Sequence, residues 1–181
     1  NINRQIHALD SSIGQSKVEA MRLRILDINP NCKVDYHDSF LDEENIPKLI
    51  SEKFDFVIDA IDQTKIKILL AEFCLDHSIP FIMTGGAGGK VDPQLIKVDT
   101  LAKTFGDPLL TKIRQYFNKK DKLNKIKSIV PVVFSSETSI KPKNNDKNEL
   151  LSGLSCSGYG SSMNITASFA FSTAAHVLIN L

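Results

Sequence analysis

The hydrophobic positions of this 181-residue chain follow two periods. Some apolar residues recur at the three- and four-residue spacing of an amphipathic helix, whereas others form short continuous runs typical of strands buried on both faces. The predicted helices cover about 14–29, 43–51, 63–77 and 107–118, and the predicted strands about 33–37, 54–62, 80–84, 95–99 and 129–134. Because strands and helices alternate, we predict an α/β fold with a doubly wound sheet.

We expect the whole chain, 1–181, to belong to a single domain with one core. The composition changes at about 118–149, where lysines crowd a loop region around the last predicted strand. The segment at about 161–181 is apolar, and a membrane-spanning helix needs roughly 20 predominantly apolar residues. This segment carries several Ser, Thr and Asn residues, so we predict a buried helix or one at a dimer interface.

The chain carries almost balanced charges, with 22 Lys and Arg against 21 Asp and Glu. No overall charge excess therefore points to a nucleic acid or a membrane surface. A local patch is a separate matter, and the lysine-rich region is either a solvated loop or a surface that follows the phosphates of RNA. The three cysteines form no CxxC pair, which fits a reducing, cytoplasmic location and argues against a four-ligand zinc site.

Polar residues that suit a polyphosphate gather at the start of the chain. Lys17 lies at the beginning of a predicted helix. Little more than a dozen residues before it lie Asn1, Asn3, Arg4 and Gln5. Arginine offers a planar fork of donors and lysine a compact positive charge, whereas the amides add orientation. The alternative for Lys17 is an ordinary solvated lysine on the polar side of that helix.

Two further features follow predicted strands. Asp59 and Asp62 lie at the carboxyl end of the strand at 54–62, which is the end where open α/β sheets bind ligands. Four glycines occupy five positions at 85–89, directly after the strand at 80–84. They permit either a close approach of the backbone to a ligand or ion, or a flexible turn.

Several segments resemble the ThiF/MoeB family of adenylating enzymes, which are related to the ubiquitin-activating enzymes. They are NINRQIHAL at 1–9, GQSKVE at 14–19, INPNCKV at 28–34, VIDAID at 57–62, TGGAGG at 84–89, VVFSSE at 132–137 and CSGYGSSMNITASFAF at 156–171. IHAL and TGGAGG make the chain most similar to the branch of tRNA threonylcarbamoyladenosine dehydratases. The resemblance implies a Rossmann-like mixed sheet whose nucleotide-binding strand, loop and helix would precede residue 1.

The resemblance also implies an activity and the residues that perform it. ATP would activate the threonylcarbamoyl carboxylate on the adenosine beside the tRNA anticodon, and the activated group would then cyclise. The implied catalytic residues are Arg4, Lys17 and Asp62, and the implied ATP-binding residues are Asn1, Asn3, Arg4, Gln5, Lys17, Asp62 and Gln63. Asp62 would hold Mg²⁺, with Asp59 as the alternative carboxylate. The implied partners are tRNA, a second copy of the chain in a homodimer, and a cysteine desulfurase system.

Two other functions remain open at this stage. One is adenylation of a ubiquitin-like sulfur-carrier protein, as in the MoeB and ThiF branch; the missing CxxC pairs weaken it. The other is a non-catalytic dimerisation or binding fragment. Cys156 precedes a glycine-containing turn and is either a reactive thiol or a bystander.

Overall fold

We describe residues 2–50, 53–120, 125–140 and 160–181 of a computed structural model. The chain divides into two compact units, at 1–41 and 42–181. The prediction of a single domain therefore stays a prediction.

The first unit contains a 3₁₀ turn at Asp10–Ser12 and one helix, α1, at Lys17–Ile28. The helix starts three residues later than predicted, and Ser16 occupies the N-cap position with extended backbone. The predicted apolar stripe of this helix is at best half-buried, and its last residue, Ile28, is 76% exposed; the stripe consists of Val18, Met21, Ile25 and Ile28. A short segment with one helix has too little apolar surface around it to enclose a core.

The predicted strand at 33–37 is not formed, because these residues adopt neither helix nor strand. A strand needs a hydrogen-bonded neighbour, and the sheet formed by the described residues does not include this segment. The alternation of apolar and polar residues in this segment was therefore not sufficient to predict a strand.

The second unit is built on a four-stranded mixed sheet. Its strands are β1 (Val57–Asp59), β2 (Phe81–Thr84), β3 (Ile96–Thr100) and β4 (Pro131–Ser135). Their order is β1-β2-β4-β3, with β1, β2 and β4 parallel and β3 antiparallel to β4. Asp59 pairs with Met83, and Thr84 pairs with Val133. The strands β1, β2 and β4 therefore end at one edge, which we call the carboxyl edge.

Five α-helices accompany the sheet in the described part of this unit. They are α2 (Ile46–Leu49), α3 (Thr64–Asp76), α4 (Pro108–Lys120), α5 (Lys125–Ile129) and α6 (Met163–Asn180). The predicted helices and strands of this unit are present, although α2 and β1 are shorter than expected. None of the helices in the described ranges combines the length and apolarity needed to cross a bilayer.

Helices cover both faces of the sheet, as a doubly wound fold requires. On one face, Ile82 and Val133 pack with Ile165 and Phe169 of α6. Successive side chains of a strand alternate between faces, so the buried Met83 projects to the opposite face, toward α3. The predicted doubly wound mixed sheet is confirmed.

Candidate functional site

Part of the predicted phosphate cluster meets at a cavity in the first unit. The cavity has a volume of about 240 Å³, and its lining includes Gln5, His7, Ser12 and Lys17. Gln5 is half-buried, whereas Lys17 is exposed at the first position of α1. The fold thus brings together two of the predicted residues that are twelve positions apart in the chain.

Arg4 and Asn3 form a pair of their own. The Arg4 guanidinium donates a hydrogen bond of 3.0 Å from Nη1 to the side-chain oxygen of Asn3. Arg4 is half-buried and Asn3 is exposed, and neither lines the cavity. The hydrogen bond limits the orientations that the guanidinium can adopt. Asn1 lies outside the described residues.

Two residues that line the cavity carry buried polar atoms without a hydrogen-bond partner among the described residues. These atoms are the side-chain oxygen of Gln5 and both ring nitrogens of His7. Leaving such atoms unsatisfied costs about 1–3 kcal/mol each, so the site suits a polar ligand or water. His7 was not among the predicted residues, although it is the polar member of the otherwise apolar IHAL segment.

In the second unit, the predicted Asp62 and Gln63 lie between β1 and α3. Asp62 is exposed and Gln63 is half-buried, and both are within four residues of the last residue of β1. This places them at the carboxyl edge of the sheet, as predicted.

Asp59, the alternative carboxylate, is enclosed by protein. Its Oδ1 lies 3.0 Å from the Lys67 ammonium, and both side chains are fully buried. The same Oδ1 accepts a 3.0 Å hydrogen bond from the backbone N–H of Ile61. Oδ2 of Asp59 has no partner among the described residues. Asp59 is thus a structural ion-pair partner, and Asp62 is the carboxylate that solvent and ligands can reach.

The Lys67 ammonium is held in an unusual environment for a cation. Burial lowers its pKa below the ordinary lysine value, whereas the neighbouring carboxylates of Asp59, Asp107 and Asp62 oppose this effect. Of these acids, Asp59 is the one with an ion-pair contact to the ammonium, at 3.0 Å.

The glycine loop at 85–89 is shaped by Asp107, the residue before α4. The buried Asp107 carboxylate accepts hydrogen bonds from the N–H of Gly86 at 2.7 Å and from those of Leu109 and Leu110 at 2.9 and 3.1 Å. It therefore caps α4 and anchors the loop at once. A Cβ on Gly85 would lie only 2.4 Å from Asp107 Oδ2. At Gly85 the close approach is thus to a side chain of the protein itself.

A second lysine is buried beside this loop. Lys90 is only 2% exposed, and its ammonium donates a 3.0 Å hydrogen bond to the carbonyl of Ser135. The Glu137 carboxylate accepts hydrogen bonds from the backbone N–H groups of Val91 and Asp92, both at 3.0 Å. The end of the glycine loop is therefore tied to the end of β4.

The buried lysines were missed at the level of sequence, although one of them had a detectable pattern. Lys67 precedes Leu70, Ala71 and Cys74 by three, four and seven positions, which is the spacing of one helix face. These three residues are buried in α3 together with Lys67. A lysine in such a stripe indicates a buried charge that needs a partner. Lys90, in a loop, had no comparable pattern.

The donor set at the carboxyl edge restricts which metal it could hold. The described residues contain no cluster of three or more His, Cys, Asp or Glu side chains that could bind a metal. A single exposed carboxylate, Asp62, fits Mg²⁺, because this ion is commonly held by one or two carboxylates together with water and substrate phosphates. Asp62 is therefore a ligand of the type that a magnesium ion commonly takes.

Comparison with known proteins decides the family. The model of the ThiF family matches residues 1–180. This chain belongs to the ThiF family. The predicted resemblance is confirmed.

Two similar relatives within the ThiF family carry one name. The chain is 39% identical to the tRNA threonylcarbamoyladenosine dehydratase of Escherichia coli over 190 residues, which cover 98% of this chain and 70% of that protein. It is 37% identical to the dehydratase of Haemophilus influenzae, covering 100% and 71% of the two chains. The more distant sulfurtransferase MOCS3 of Drosophila yakuba is 33% identical over only 52% of this chain.

Solved structures of the E. coli dehydratase are also similar. Its complex with ATP superposes with a TM-score of 0.85 at 38% identity and covers 99% of this chain and 69% of that chain. Its complex with AMP has a TM-score of 0.84 at 39% identity with the same coverage. The match therefore extends over both units of the ThiF-family chain.

Two predicted features fall on residues outside the described ranges. Cys156 is one, and the parts of the lysine-rich region at 121–124 and 141–149 are the other. Lys120 of this region forms an ion pair with Glu72, with 2.6 Å between Nζ and Oε1. Lys127 donates a 2.6 Å hydrogen bond to the side-chain oxygen of Asn118.

Proposed function

We propose that this chain is an ATP-dependent tRNA threonylcarbamoyladenosine dehydratase. The observation that carries the proposal is the 39% identity to the E. coli dehydratase along 98% of the chain. The E. coli protein has been solved with ATP and with AMP. These are the substrate and the leaving product of an adenylation followed by displacement.

The chemistry follows from the substrate. An oxygen of the threonylcarbamoyl carboxylate attacks the α-phosphorus of ATP, and the bond to the β-phosphate breaks with release of pyrophosphate. A nitrogen of the same substrate then attacks the activated carbonyl carbon. It loses its proton, AMP departs with the former carboxylate oxygen, and a ring closes with net loss of water. A carboxyl group with a pKa near ~4 is already ionised at neutral pH, so the first step needs no general base.

The chain's own residues contribute charge stabilisation and positioning. We assign Arg4 and Lys17 to the phosphates, where negative charge develops as pyrophosphate leaves. Asn1, Asn3 and Gln5 would orient the nucleotide. Gln5 and Lys17 line a cavity, and the side-chain oxygen of Gln5 has no hydrogen-bond partner within the described part of the chain, which supports a polar ligand in the first unit.

Asp62 and Gln63 are assigned to the second part of the site. Asp62 would hold Mg²⁺ together with phosphate oxygens, and the ion would neutralise part of the phosphate charge. Gln63 would hydrogen-bond the nucleotide from the residue before α3. Their place at the carboxyl edge supports both roles.

The decisive test is ATP–pyrophosphate exchange with purified protein and defined substrates. We expect exchange to be stimulated by tRNA that carries threonylcarbamoyladenosine, and not by unmodified tRNA. Mass spectrometry of the nucleosides should then show the product lighter by one water. Stimulation by a small protein ending in Gly-Gly would instead assign the chain to sulfur-carrier adenylation. An absence of exchange with either substrate would identify a non-catalytic relative.

Site assignments are tested in the same assay. Replacing Arg4 with Ala is expected to slow exchange by about 10²-fold or more, as for the loss of one preorganised charge-stabilising donor. Lys48→Ala, at an exposed position of α2, is the control and should leave the rate unchanged. A normal rate in the Arg4 variant would remove this residue from the mechanism.

We propose that α6 forms part of a homodimer interface. Phe171, Leu178 and Ile179 are 75%, 75% and 82% exposed on this helix, and burial of such residues contributes about 1.5–3 kcal/mol each. Leu178→Glu should lower the measured mass from dimer to monomer in analytical ultracentrifugation. An unchanged dimer would place the interface elsewhere.

We further propose that the lysine-rich region binds tRNA phosphates. Replacing Lys119, Lys120 and Lys122 with Ala should weaken tRNA binding and reduce the slope of its salt dependence by about one for each phosphate that is no longer neutralised. Unchanged affinity would leave them as solvated residues. A cysteine desulfurase partner and a cytoplasmic location rest on the kinship with tRNA-modifying enzymes, and a pull-down and cell fractionation would test them.

A further inference from the structure

Asp59 and Lys67, which form the buried ion pair, lie on either side of a short segment of the chain that carries proposed site residues. Asp59 is the last residue of β1, and Lys67 lies in the first turns of α3. Their charged atoms are 3.0 Å apart, and both side chains are fully buried. The chain between them passes through Asp62 and Gln63. The pair therefore ties together the two ends of the connection on which these residues stand.

Other hydrogen bonds converge on the same strand end. The Lys67 ammonium also donates to the backbone carbonyl of Asp59 at 3.3 Å, and the hydroxyl of Thr84 on β2 donates to that carbonyl at 3.3 Å. The backbone N–H of Ile61 donates to the Asp59 carboxylate at 3.0 Å. The start of the 60–63 segment is thus held by the neighbouring strand and by α3, whereas its end continues into α3.

Stability alone is a poor explanation for this pair. Taking two charges out of water is unfavourable, and replacing a buried pair with uncharged residues of similar volume is often neutral or stabilising. The buried neighbours of Lys67 on α3 include Ile66 and Leu70, so an apolar side chain would suit the position. A buried charge pair gives what apolar packing does not, namely directional contacts with fixed distances.

We propose that Lys67 is a positioning residue of the adenylation site. Through Asp59 it holds the 60–63 segment in one conformation, so that the Asp62 carboxylate and the Gln63 amide stand ready for the magnesium–nucleotide complex. Lys67 itself is fully buried and does not contact the substrate. This inference rests on the proposed function, because it deepens the role assigned to Asp62.

The experiment compares four forms of the protein with the wild type. Lys67→Met removes the charge and keeps the length of the side chain. Lys67→Arg keeps the charge and alters its geometry. The double variant Asp59→Asn with Lys67→Met removes both charges, which avoids an unpaired buried carboxylate. Lys65→Met, at an exposed position of the same helix, is the matched control.

Three quantities are measured for each form. They are the unfolding midpoint, the amide hydrogen exchange of residues 60–63 in metal-free protein, and the Mg²⁺ concentration that gives half-maximal ATP–pyrophosphate exchange. Loss of a residue that orients a metal ligand typically weakens metal affinity by about 10- to 100-fold. We expect a shift of this size in the Mg²⁺ concentration for Lys67→Met and for the double variant.

The double variant separates positioning from stability. We expect it to regain the unfolding midpoint that Lys67→Met loses, while residues 60–63 remain about tenfold or more faster in hydrogen exchange than in the wild type. We expect Lys67→Arg to recover part of the Mg²⁺ response and Lys65→Met to match the wild type.

Two outcomes would overturn the inference. One is a double variant that regains both its stability and the wild-type Mg²⁺ response, since the pair would then serve stability alone. The other is wild-type protection of residues 60–63 in Lys67→Met. A wild-type protein that shows no pyrophosphate exchange would refute the proposed function instead, and hydrogen exchange of the metal-free protein would still decide whether Lys67 holds the segment.

Discussion

Replacing Gly85 with Ala should destabilise the protein strongly, whereas the same change one residue later should not. A Cβ at position 85 would lie 2.4 Å from Asp107 Oδ2 and 2.9 Å from Leu110 Cδ1, well inside van der Waals contact. At Gly86 the nearest atoms are the two carboxylate oxygens of Asp107 at 3.8 Å, an ordinary contact. Neither glycine has a positive φ, so backbone strain does not distinguish the two positions.

The size of the effect follows from what holds the Asp107 carboxylate. Its oxygens accept hydrogen bonds from Gly86, Leu109 and Leu110, so it cannot turn away from a methyl group without breaking some of them. Overpacking a well-packed site costs about 1–3 kcal/mol. Loss of a side-chain N-cap costs about 0.5–2 kcal/mol. We therefore expect Gly85→Ala to lower the free energy of unfolding by about 2–4 kcal/mol.

Urea denaturation with a common slope for all variants measures this difference. Gly86→Ala is the matched control and should change the free energy of unfolding by less than about 1 kcal/mol. Combining Gly85→Ala with Asp107→Ala should cost less than the sum of the single changes, because the second substitution removes the nearer of the two colliding atoms. Equal losses for Gly85→Ala and Gly86→Ala would refute the steric reasoning.

The remaining predictions concern ionisable groups. Burial raises the pKa of the Cys74 thiol to about 11, so iodoacetamide at pH 8 should label the half-buried Cys32 and spare Cys74 until the protein is unfolded, as mass spectrometry would show. Burial lowers the pKa of the Lys90 ammonium, so the unfolded chain binds more protons than the folded chain at alkaline pH. The free energy of unfolding of the wild type, compared with that of Lys90→Met in urea titrations, should therefore rise as the pH increases toward ~10.5. The backbone N–H of Thr100 lowers the pKa of the Asp99 carboxyl, so stability relative to Asp99→Asn should fall as the pH drops below ~4; a constant difference would contradict this.

The local pattern of the chain was sufficient for most of the second unit. The helical spacing after Gln63 predicted α3 at nearly its observed position, and the apolar run before Asp59 predicted β1, although the observed strand is much shorter than the predicted one. Such elements are predictable because side-chain periodicity is set by backbone geometry and is present in every short window. The place of Asp62 at the carboxyl edge followed from the same pattern, because parallel strands end on one side.

The helix faces were predicted less accurately than the helices. In α4, the helical spacing of Leu109, Ile113 and Tyr116 predicts one buried face. Leu110 is buried in place of Leu109, and Tyr116 is 38% exposed. When apolar residues occupy adjacent positions of a helix, the sequence does not determine which of them faces the core. Packing against the neighbouring elements selects the face that is buried.

What the sequence determined by itself was the order and type of the elements of the second unit, the family, and the residue types suited to a phosphate ligand. What only the tertiary structure decided was which charges are buried. Asp59 and Asp62 both lie at the end of the same predicted strand. Asp59 is nevertheless buried with Lys67, whereas Asp62 is exposed. The absent strand at 33–37 has the same origin, since burial and strand pairing depend on partners that are distant in the chain.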